Sequence, residues 1–395
     1  MRSNKYLPFL IIVSLIGCCI EANILLPSFP DMRDYFGASE EDIQRTISIN
    51  FLGFCLSALI YGPLSESLGR RKVLLFGQTI FTLGAIACVL AQSIEMFLIA
   101  RFAQGLGASA AATVGFTMFA DAYKGDVAAK HMGRINAILT ALIAVAPVIG
   151  GIIHKSLGWR WNLIFLAICG VVSLIPLFPA LPETLIKKRP LVLNQIFGDY
   201  FILLKSKVFL LYAIVPNFLA AAYLTFVGSS PFFYMDTCHI SPLAFAWHQG
   251  LVVAAFSLTS FYSSALLKYL GSRNCKLWGV LLSLFASFLL IFTSSIFPYN
   301  PYFITILMFL YAAGAGSTFS IFFAESLELH PDQKGAATSL IMSSRLFFSS
   351  ILISVSGFFY DGKFVVASII IFFSVLISAA ATLRILMEKK TLEIS

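Results

Sequence analysis

Long apolar runs separated by short charged packets set the pattern along this chain of 395 residues. Stretches free of Asp, Glu, Lys and Arg cover 46–65, 73–94, 102–120, 161–182, 208–235 and 364–383. Each approximates the ~20 apolar residues that an α-helix needs to cross a hydrocarbon core. The run 277–324 is too long for one crossing and contains Phe297-Pro298-Tyr299-Asn300-Pro301, a turn signal that divides it in two. Segments near 6–28, 135–153, 249–267 and 335–358 bring the predicted count to twelve membrane-spanning helices.

Composition agrees with the pattern. Hydrophobic residues make up 59% of the chain and charged residues 12%, against about 25% charged in a soluble globular protein. The mean hydropathy is +0.89. So little polar surface cannot keep a soluble body of this size in water, and the chain reads as an all-α integral membrane protein. Its net charge of +8 would suggest a polyanion partner in a soluble protein. In a membrane protein, Lys and Arg accumulate instead in cytoplasmic loops, so no nucleic-acid partner is expected. With the N-terminus inside, the cytoplasmic segments hold twenty basic residues, including Arg70, Arg71, Lys72, Lys124, Lys187, Lys188, Arg189, Arg273 and Lys276. The outside loops hold four, Arg33, Lys155, Arg160 and Lys363. That bias predicts both termini in the cytoplasm. Arg2, Lys5 and the apolar run ending at Cys18 mimic a lipoprotein signal. Retention of this segment as the first span preserves the loop charges and is the more economical reading. The seven cysteines are odd in number and five lie in apolar runs, as small core residues do and disulfide or metal frameworks do not.

The longest internal loop, 183–207, is basic and falls near the midpoint. It predicts an N-terminal six-helix bundle over 1–182, a cytoplasmic linker over 183–207 and a C-terminal six-helix bundle over 208–395. The halves echo one another. Leu68-Gly69-Arg70-Arg71-Lys72-Val73-Leu74-Leu75-Phe76-Gly77 returns 202 residues later as Leu270-Gly271-Ser272-Arg273-Asn274-Cys275-Lys276-Leu277-Trp278-Gly279, with five of ten positions identical. Both copies follow the second helix of their half, which reads as an internal repeat.

Two pseudo-symmetric six-helix halves, a charged packet after the second helix of each and a basic central loop resemble the major facilitator superfamily. Residues 62–77 resemble its signature loop, G-x-L-a-D-r-x-G-r-[rk], through Gly62, Leu64, Glu66, Gly69, Arg70 and Arg71. Glu66 replaces the usual Asp and Ser67 the usual Arg. The resemblance implies a cytoplasmic gate in which this acid and these arginines meet Asp121, although Ala120 stands where an Arg is usual. Arg101-Phe102-Ala103-Gln104-Gly105 resembles the fourth-helix R-x-x-Q-G motif. Ala146-Pro147-Val148-Ile149-Gly150-Gly151 resembles the fifth-helix motif of proton-linked antiporters, where Pro147, Gly150 and Gly151 permit close helix packing. With Leu26-Pro27-Ser28-Phe29-Pro30, Trp159-Arg160-Trp161-Asn162, Leu181-Pro182-Glu183-Thr184-Leu185 and Ser230-Pro231-Phe232, these features are similar to the Bcr/CflA drug-resistance branch of drug:proton antiporters.

Ionisable residues inside spans cost about 2.5–3.5 kcal/mol on insertion scales and so require a reason. Glu21, in the outer part of the first helix, could take a proton from outside and release it inside; its alternative is a solvated residue near the outer surface. In the resembled branch the first-helix acid falls at the position occupied here by Asn23. Glu21 lies two residues earlier, roughly 200° around the helix. Arg101 and Gln104, three residues apart, share a face, and the resemblance directs that face at the first helix near Asn23 and Pro27. Arg345 interrupts an apolar eleventh helix at mid-membrane. It would favour an anionic substrate, or pair with an acid such as Glu21. Tyr223, Phe226 and Phe232 on the seventh helix, with Tyr311 and Phe319 on the tenth, are candidates to line a permissive apolar cavity. Glu325 and Glu328 end the tenth helix as a gate or a solvated pair.

No metal-ligand cluster, nucleophile–base spacing or nucleotide-binding glycine loop occurs in the sequence. That speaks against an enzyme, a cofactor and direct ATP drive. The expected protein is a monomeric secondary transporter in a bacterial inner membrane, with the lipid bilayer and a small-molecule substrate as its partners. Proton-coupled efflux of amphipathic drugs is the first reading. A metabolite or siderophore carrier, importing or moving anions, is the second; a membrane-embedded enzyme or non-transporting receptor is the third.

Overall fold

The computed structural model describes residues 6–123, 125–185, 190, 192–330 and 333–394, and all regular structure among them is helical. Arg2, Lys5, Lys124, Lys187, Lys188 and Arg189 of the predicted cytoplasmic set lie outside the described residues. Among the described residues, eleven helices are long and apolar enough to cross a membrane, and the apolar stretch Ala141–Leu157 occupies the place of the predicted fifth. The chain divides into two compact units, Met1–Phe197 and Gly198–Ser395.

The first unit contains α1 (Leu7–Leu25), α2 (Phe29–Phe36), α3 (Glu40–Leu68), α4 (Arg70–Leu90), α5 (Ile94–Ala110), α6 (Phe116–Ala122), α7 (Gly125–Leu157) and α8 (Arg160–Ala180). Local chemistry sets several of these boundaries. Leu26–Ser28 forms a tight 3-10 turn that opens on Pro27, so α1 and α2 make one kinked span. Gly37, at φ 58°, supplies the left-handed residue that ends α2. Ser39 then starts α3 with a capping box: its hydroxyl accepts from the Asp42 amide at 3.1 Å, and the Asp42 carboxylate accepts from the Ser39 amide at 3.2 Å. A wide π turn over Ala111–Gly115 joins α5 to α6 within one span. Such turns insert an extra residue and redirect the side chains beyond them.

The second unit contains α10 (Lys207–Phe232), α11 (Pro242–Phe261), α12 (Ser263–Ile296), α13 (Pro301–Glu328), α14 (Lys334–Phe358) and α15 (Val365–Ile394). α9 (Leu193–Lys205) leads into it and straddles the boundary between the units. The predicted linker is therefore not all loop. Leu203 is buried against Phe209, Ala213, Ala337 and Ile341, while Phe197, Phe201 and Leu204 are exposed. One anchored face with an apolar outer face suits a helix lying at a membrane surface.

The internal repeat has a structural counterpart. Gly69 separates α3 from α4 at φ 109°, and Gly271 breaks α12 at φ 75°. Both combine that φ with an extended ψ, a conformation open essentially to glycine alone. Ten residues into each motif the glycine again acts alike: a Cβ on Gly77 would strike Ala110 and the Gly107 carbonyl, and one on Gly279 would strike Thr318 and the Gly314 carbonyl. Small residues let helix backbones approach where lipid offers no hydrophobic drive to associate. The main helix pairings correspond as well. α3–α5, α4–α5, α1–α7, α1–α8 and α4–α8 in the first unit match α11–α13, α12–α13, α10–α14, α10–α15 and α12–α15 in the second.

Several polar side chains inside the units pair across helices. Ser57 meets Ser109 at 2.6 Å, Gln78 donates to Ser173 at 2.7 Å and Ser229 meets Ser356 at 2.8 Å. Large apolar side chains such as Leu90, Ile99, Ile175 and Phe285 project outward and are exposed, as a lipid-facing surface requires.

Candidate functional site

Three groups of side chains carry the chemistry. The first surrounds the α3–α4 turn. Arg70 opens α4, is buried, and extends its guanidinium to Ser65 Oγ at 2.5 Å, Asp121 Oδ2 at 3.2 Å and Glu66 Oε1 at 3.6 Å. Thr184 Oγ1 donates to the same Asp121 oxygen at 3.3 Å. Arg71 leaves the cluster and donates to the Phe178 carbonyl at 2.8 Å. The structure thus joins Glu66, Gly69, Arg70 and Asp121, with Gly62 one turn back, where its carbonyl accepts from Ser65 Oγ at 2.7 Å. Glu183 completes the cluster. Its Oε1 accepts from the Arg70 and Leu185 amides, each at 3.0 Å, and its Oε2 accepts from the Arg71 amide at 3.3 Å. A carboxylate at the exposed amides of a helix N-terminus is favourably placed. Gly69 lies so close beneath it that a Cβ there would collide with the carboxylate.

The corresponding place in the second unit repeats the idea with different residues. Lys276 of α12 is 1% exposed and donates to Glu325 Oε1 at 2.6 Å, while Ser272 Oγ donates to the same oxygen at 3.1 Å. Glu325 lies near the end of α13, as Asp121 does in α6. Glu328 pairs separately with Lys334 at 2.7 Å.

The second group lies within the first unit. Arg101 and Gln104 share a face of α5, and Arg101 NH1 donates to Gln104 Oε1 at 2.7 Å. The same nitrogen is 3.7 Å from Glu21 Oε2, and Arg101 Nε donates to the Thr46 carbonyl at 3.4 Å. Asn50 Nδ2 sits between, donating to the Arg101 carbonyl at 3.1 Å and Glu21 Oε2 at 3.4 Å. Arg101 and Gln104 are each 1% exposed, Glu21 3% and Asn50 0%, so this is an enclosed ionic network. Glu21, not Asn23, is the first-helix residue that Arg101 reaches. Asn23 is buried nearby in the chain, and its Oδ1 lacks a hydrogen-bond partner. A Cβ on Gly105 would strike the Asn50 carbonyl, so close α3–α5 contact holds Asn50 in place.

Along α7, Gly150 lies against the Ile24 backbone and leaves no room for a Cβ. Gly151 is buried, and Pro147 sits within the same helix. Asn162 donates to the Gly150 carbonyl at 3.1 Å and to Ser28 Oγ at 2.9 Å, tying α8 to α7 and to the α1–α2 turn.

The third group belongs to the second unit. Tyr223 of α10 stacks near Phe256 of α11, with ring centroids 6.4 Å apart. Phe256 meets Phe319 of α13 at 5.8 Å, and Phe319 meets Phe323 at 6.0 Å in nearly parallel planes. The Arg345 guanidinium of α14 stands 5.8 Å from the Phe319 centroid, and its Nε is enclosed without a hydrogen-bond partner. The Tyr223 hydroxyl lies beside the carboxamide of fully buried Gln249, and neither makes a hydrogen bond to any other described group. Tyr311 differs, since its hydroxyl donates to the Leu219 carbonyl. Phe226 and Phe232 lie elsewhere. Phe226 packs with Tyr234 and Phe364, and Phe232 with Tyr360, in a tightly enclosed aromatic core.

Glu183, Asn50, Gln249, Phe256 and Lys276 were not singled out as candidates in the sequence. Glu183 lay within a recognised motif, and Glu325 stood at a helix end that invited a gate. Asn50, Gln249 and Phe256 had no local signal. Among the described residues, no group of three or more His, Cys, Asp or Glu could hold a metal ion.

Comparisons with known proteins agree with this architecture. The model of the Major Facilitator Superfamily matches residues 11–354. An uncharacterized transporter of Rickettsia bellii is 27% identical over 277 residues, 69% of this chain and 68% of that one. A bicyclomycin resistance protein homolog of Haemophilus influenzae is 25% identical over 333 residues, 84% of this chain and 83% of that one. Several further multidrug- and drug-resistance proteins of bacteria are related at similar levels. Among solved structures, the xylose transporter XylE from E. coli, in a partially occluded inward-open conformation, superposes with a TM-score of 0.75 at 10% identity. It covers 97% of each chain, a likeness of fold.

Proposed function

The chain belongs to the Major Facilitator Superfamily, and from that premise we propose that it is a proton-coupled exporter of amphipathic small molecules, working by alternating access in a bacterial inner membrane. The observation that carries the proposal is the enclosed Glu21–Arg101–Gln104–Asn50 network. A carboxyl buried within a span is by default a functional group. Glu21 holds Arg101 at 3.7 Å only while it is ionised. Protonation cancels one half of the pair and leaves Arg101 to Gln104 and the Thr46 carbonyl. One proton thereby changes what ties α1 to α5, and a two-state rearrangement of helices needs such a change in differential contacts. The cluster of Arg70, Glu66, Asp121 and Glu183 serves as the cytoplasmic latch, and both termini face the cytoplasm. The lineage is that of the Bcr/CflA exporters, in keeping with the drug-resistance relatives.

The test uses everted membrane vesicles with an imposed pH gradient and amphipathic fluorescent substrates of either charge sign. Wild type moves at least one of them, and the movement collapses when the gradient is dissipated. Glu21→Gln abolishes gradient-driven movement. Undiminished gradient-driven transport by that variant would remove Glu21 from the coupling step.

The second reading, a carrier of anionic metabolites, is favoured by one observation, the Arg345 guanidinium, which has no ion-pair partner among the described residues and an enclosed Nε without a hydrogen bond.

A further inference from the structure

We infer that α10, α11, α13 and α14 of the second unit form a recognition site for an organic anion with a flat apolar body, its carboxylate or sulfonate held by Arg345. This rests on the transporter reading above and specifies the class of its cargo.

Three independent features converge. The first is charge. Arg345 lies within the Lys334–Phe358 span, and no described carboxylate of this unit pairs with it: Glu325 is taken by Lys276 and Ser272, Glu328 by Lys334, and the Asp361 carboxylate accepts from the Lys363 amide. An uncompensated guanidinium at such depth is costly, and buried cations are kept only where they meet an anion. The second is the set of orphaned polar atoms. Arg345 Nε is enclosed without a partner, and the Tyr223 hydroxyl and Gln249 carboxamide, which lie beside one another, reach no other described polar group. Native interiors leave few such groups, and each calls for an explanation. Here they supply several donors and one amide acceptor, which matches the few polar atoms of an anionic head. A sugar-like polyol would need many more. The third is the aromatic ladder Tyr223–Phe256–Phe319–Phe323, whose faces offer a flat, rigid, apolar surface beside the guanidinium. A cation placed there would meet Arg345 repulsion, so the site selects against cationic cargo.

The test measures equilibrium binding of 2-naphthoate, followed by its own fluorescence, to the purified full-length protein in phosphatidylcholine nanodiscs. The size-matched cation 2-naphthylmethylammonium serves as control. Wild type binds the anion at least tenfold more tightly than the cation. Arg345→Gln weakens naphthoate binding about 30-fold or more, the scale for truncating one partner of a buried charge pair. Arg345→Lys recovers part of the loss, because a point charge replaces the planar fork. Thermal unfolding profiles matching wild type establish that the variants are folded. Binding is measured without a gradient, whereas proton coupling is read from gradient-driven transport in vesicles, so a failure of proton coupling and a failure of anion recognition give different results. Equal affinity of wild type and Arg345→Gln for naphthoate, or preference for the cation, overturns the inference and leaves the transporter reading standing. Loss of naphthoate binding on adding phosphatidylglycerol assigns Arg345 to a lipid phosphate and overturns the cargo assignment.

Discussion

Removing either member of the Lys276–Glu325 pair deletes the same contact, yet the two deletions should not cost the same. Lys276 Nζ is 2.6 Å from Glu325 Oε1; the lysine side chain is 1% exposed and the glutamate 29%. Glu325→Gln takes the carboxylate from an enclosed ammonium beside Phe322, whose ring is 5.0 Å away. Breaking a buried pair so that one charge remains enclosed costs about 3–5 kcal/mol. The amide oxygen of Gln and the cation–π contact recover some of this, so the lower end, about 3 kcal/mol, is expected. Lys276→Met leaves the partly exposed Glu325 with Ser272 and water, and fills the lysine site with an apolar chain. Replacing a buried ion by packed apolar atoms is often neutral, so a change within about 1 kcal/mol is expected.

The buried Cys55, Cys88 and Cys275 allow thermal unfolding to be followed with a thiol-reactive fluorophore. For a unit near 200 residues, 1 kcal/mol shifts the midpoint by about 2–4 °C. Glu325→Gln should therefore lower Tm by about 6–12 °C, Lys276→Met by less than about 4 °C, and the double variant should match Lys276→Met. Equal losses from both single variants would refute the argument from unequal burial, as would an unchanged Tm in Glu325→Gln.

Two further outcomes follow from the same geometry. Glu183→Gln removes the charge from two backbone bonds at the start of α4 and one from the Leu185 amide. That is worth about 1 kcal/mol at an exposed helix end, read as a Tm lowered by about 2–4 °C. Gly105→Ala drives a methyl group into the Asn50 carbonyl, an overpacking cost of about 1–3 kcal/mol. It lowers Tm and impairs gradient-driven transport together, whereas Gly198→Ala, with nothing within 4 Å of the added Cβ, leaves both unchanged.

Much of the scaffold was legible in the sequence because membrane crossing imposes a length and a composition that each run carries by itself. The fifth span was the weakest: α7 begins with the polar stretch 125–134, and only Ala141–Leu157 is apolar enough to stand out. The repeat was legible because glycine has few substitutes where Gly69 and Gly271 bend the chain. Long-range chemistry was not. Asn50 and Glu21 are 29 residues apart, Arg70 and Glu183 are 113, and nothing local marks either pairing. The aromatic candidates could not be ranked from the sequence for want of contrast. With 39 Phe in the chain, composition cannot separate Phe226 and Phe232, locked in an aromatic core, from Phe256 beside unpartnered polar atoms.

The repeat holds the backbone alike in the two units and leaves their charges unlike. Glycines at equivalent places bend and pack both copies, and the five main helix pairings correspond. Within the first unit the buried arginine has its carboxylate: Arg101 and Glu21 balance one another, and we propose that the position answers to a proton. Within the second, Arg345 has none among the described residues and stands beside aromatic faces, and we infer that the position answers to an anion brought from outside. On the proposed function, equal scaffolds with unequal electrostatics let one unit sense protons and the other sense cargo. Each stimulus then acts on its own set of helix contacts, and binding at one site need not displace the ligand of the other for the two to be thermodynamically linked.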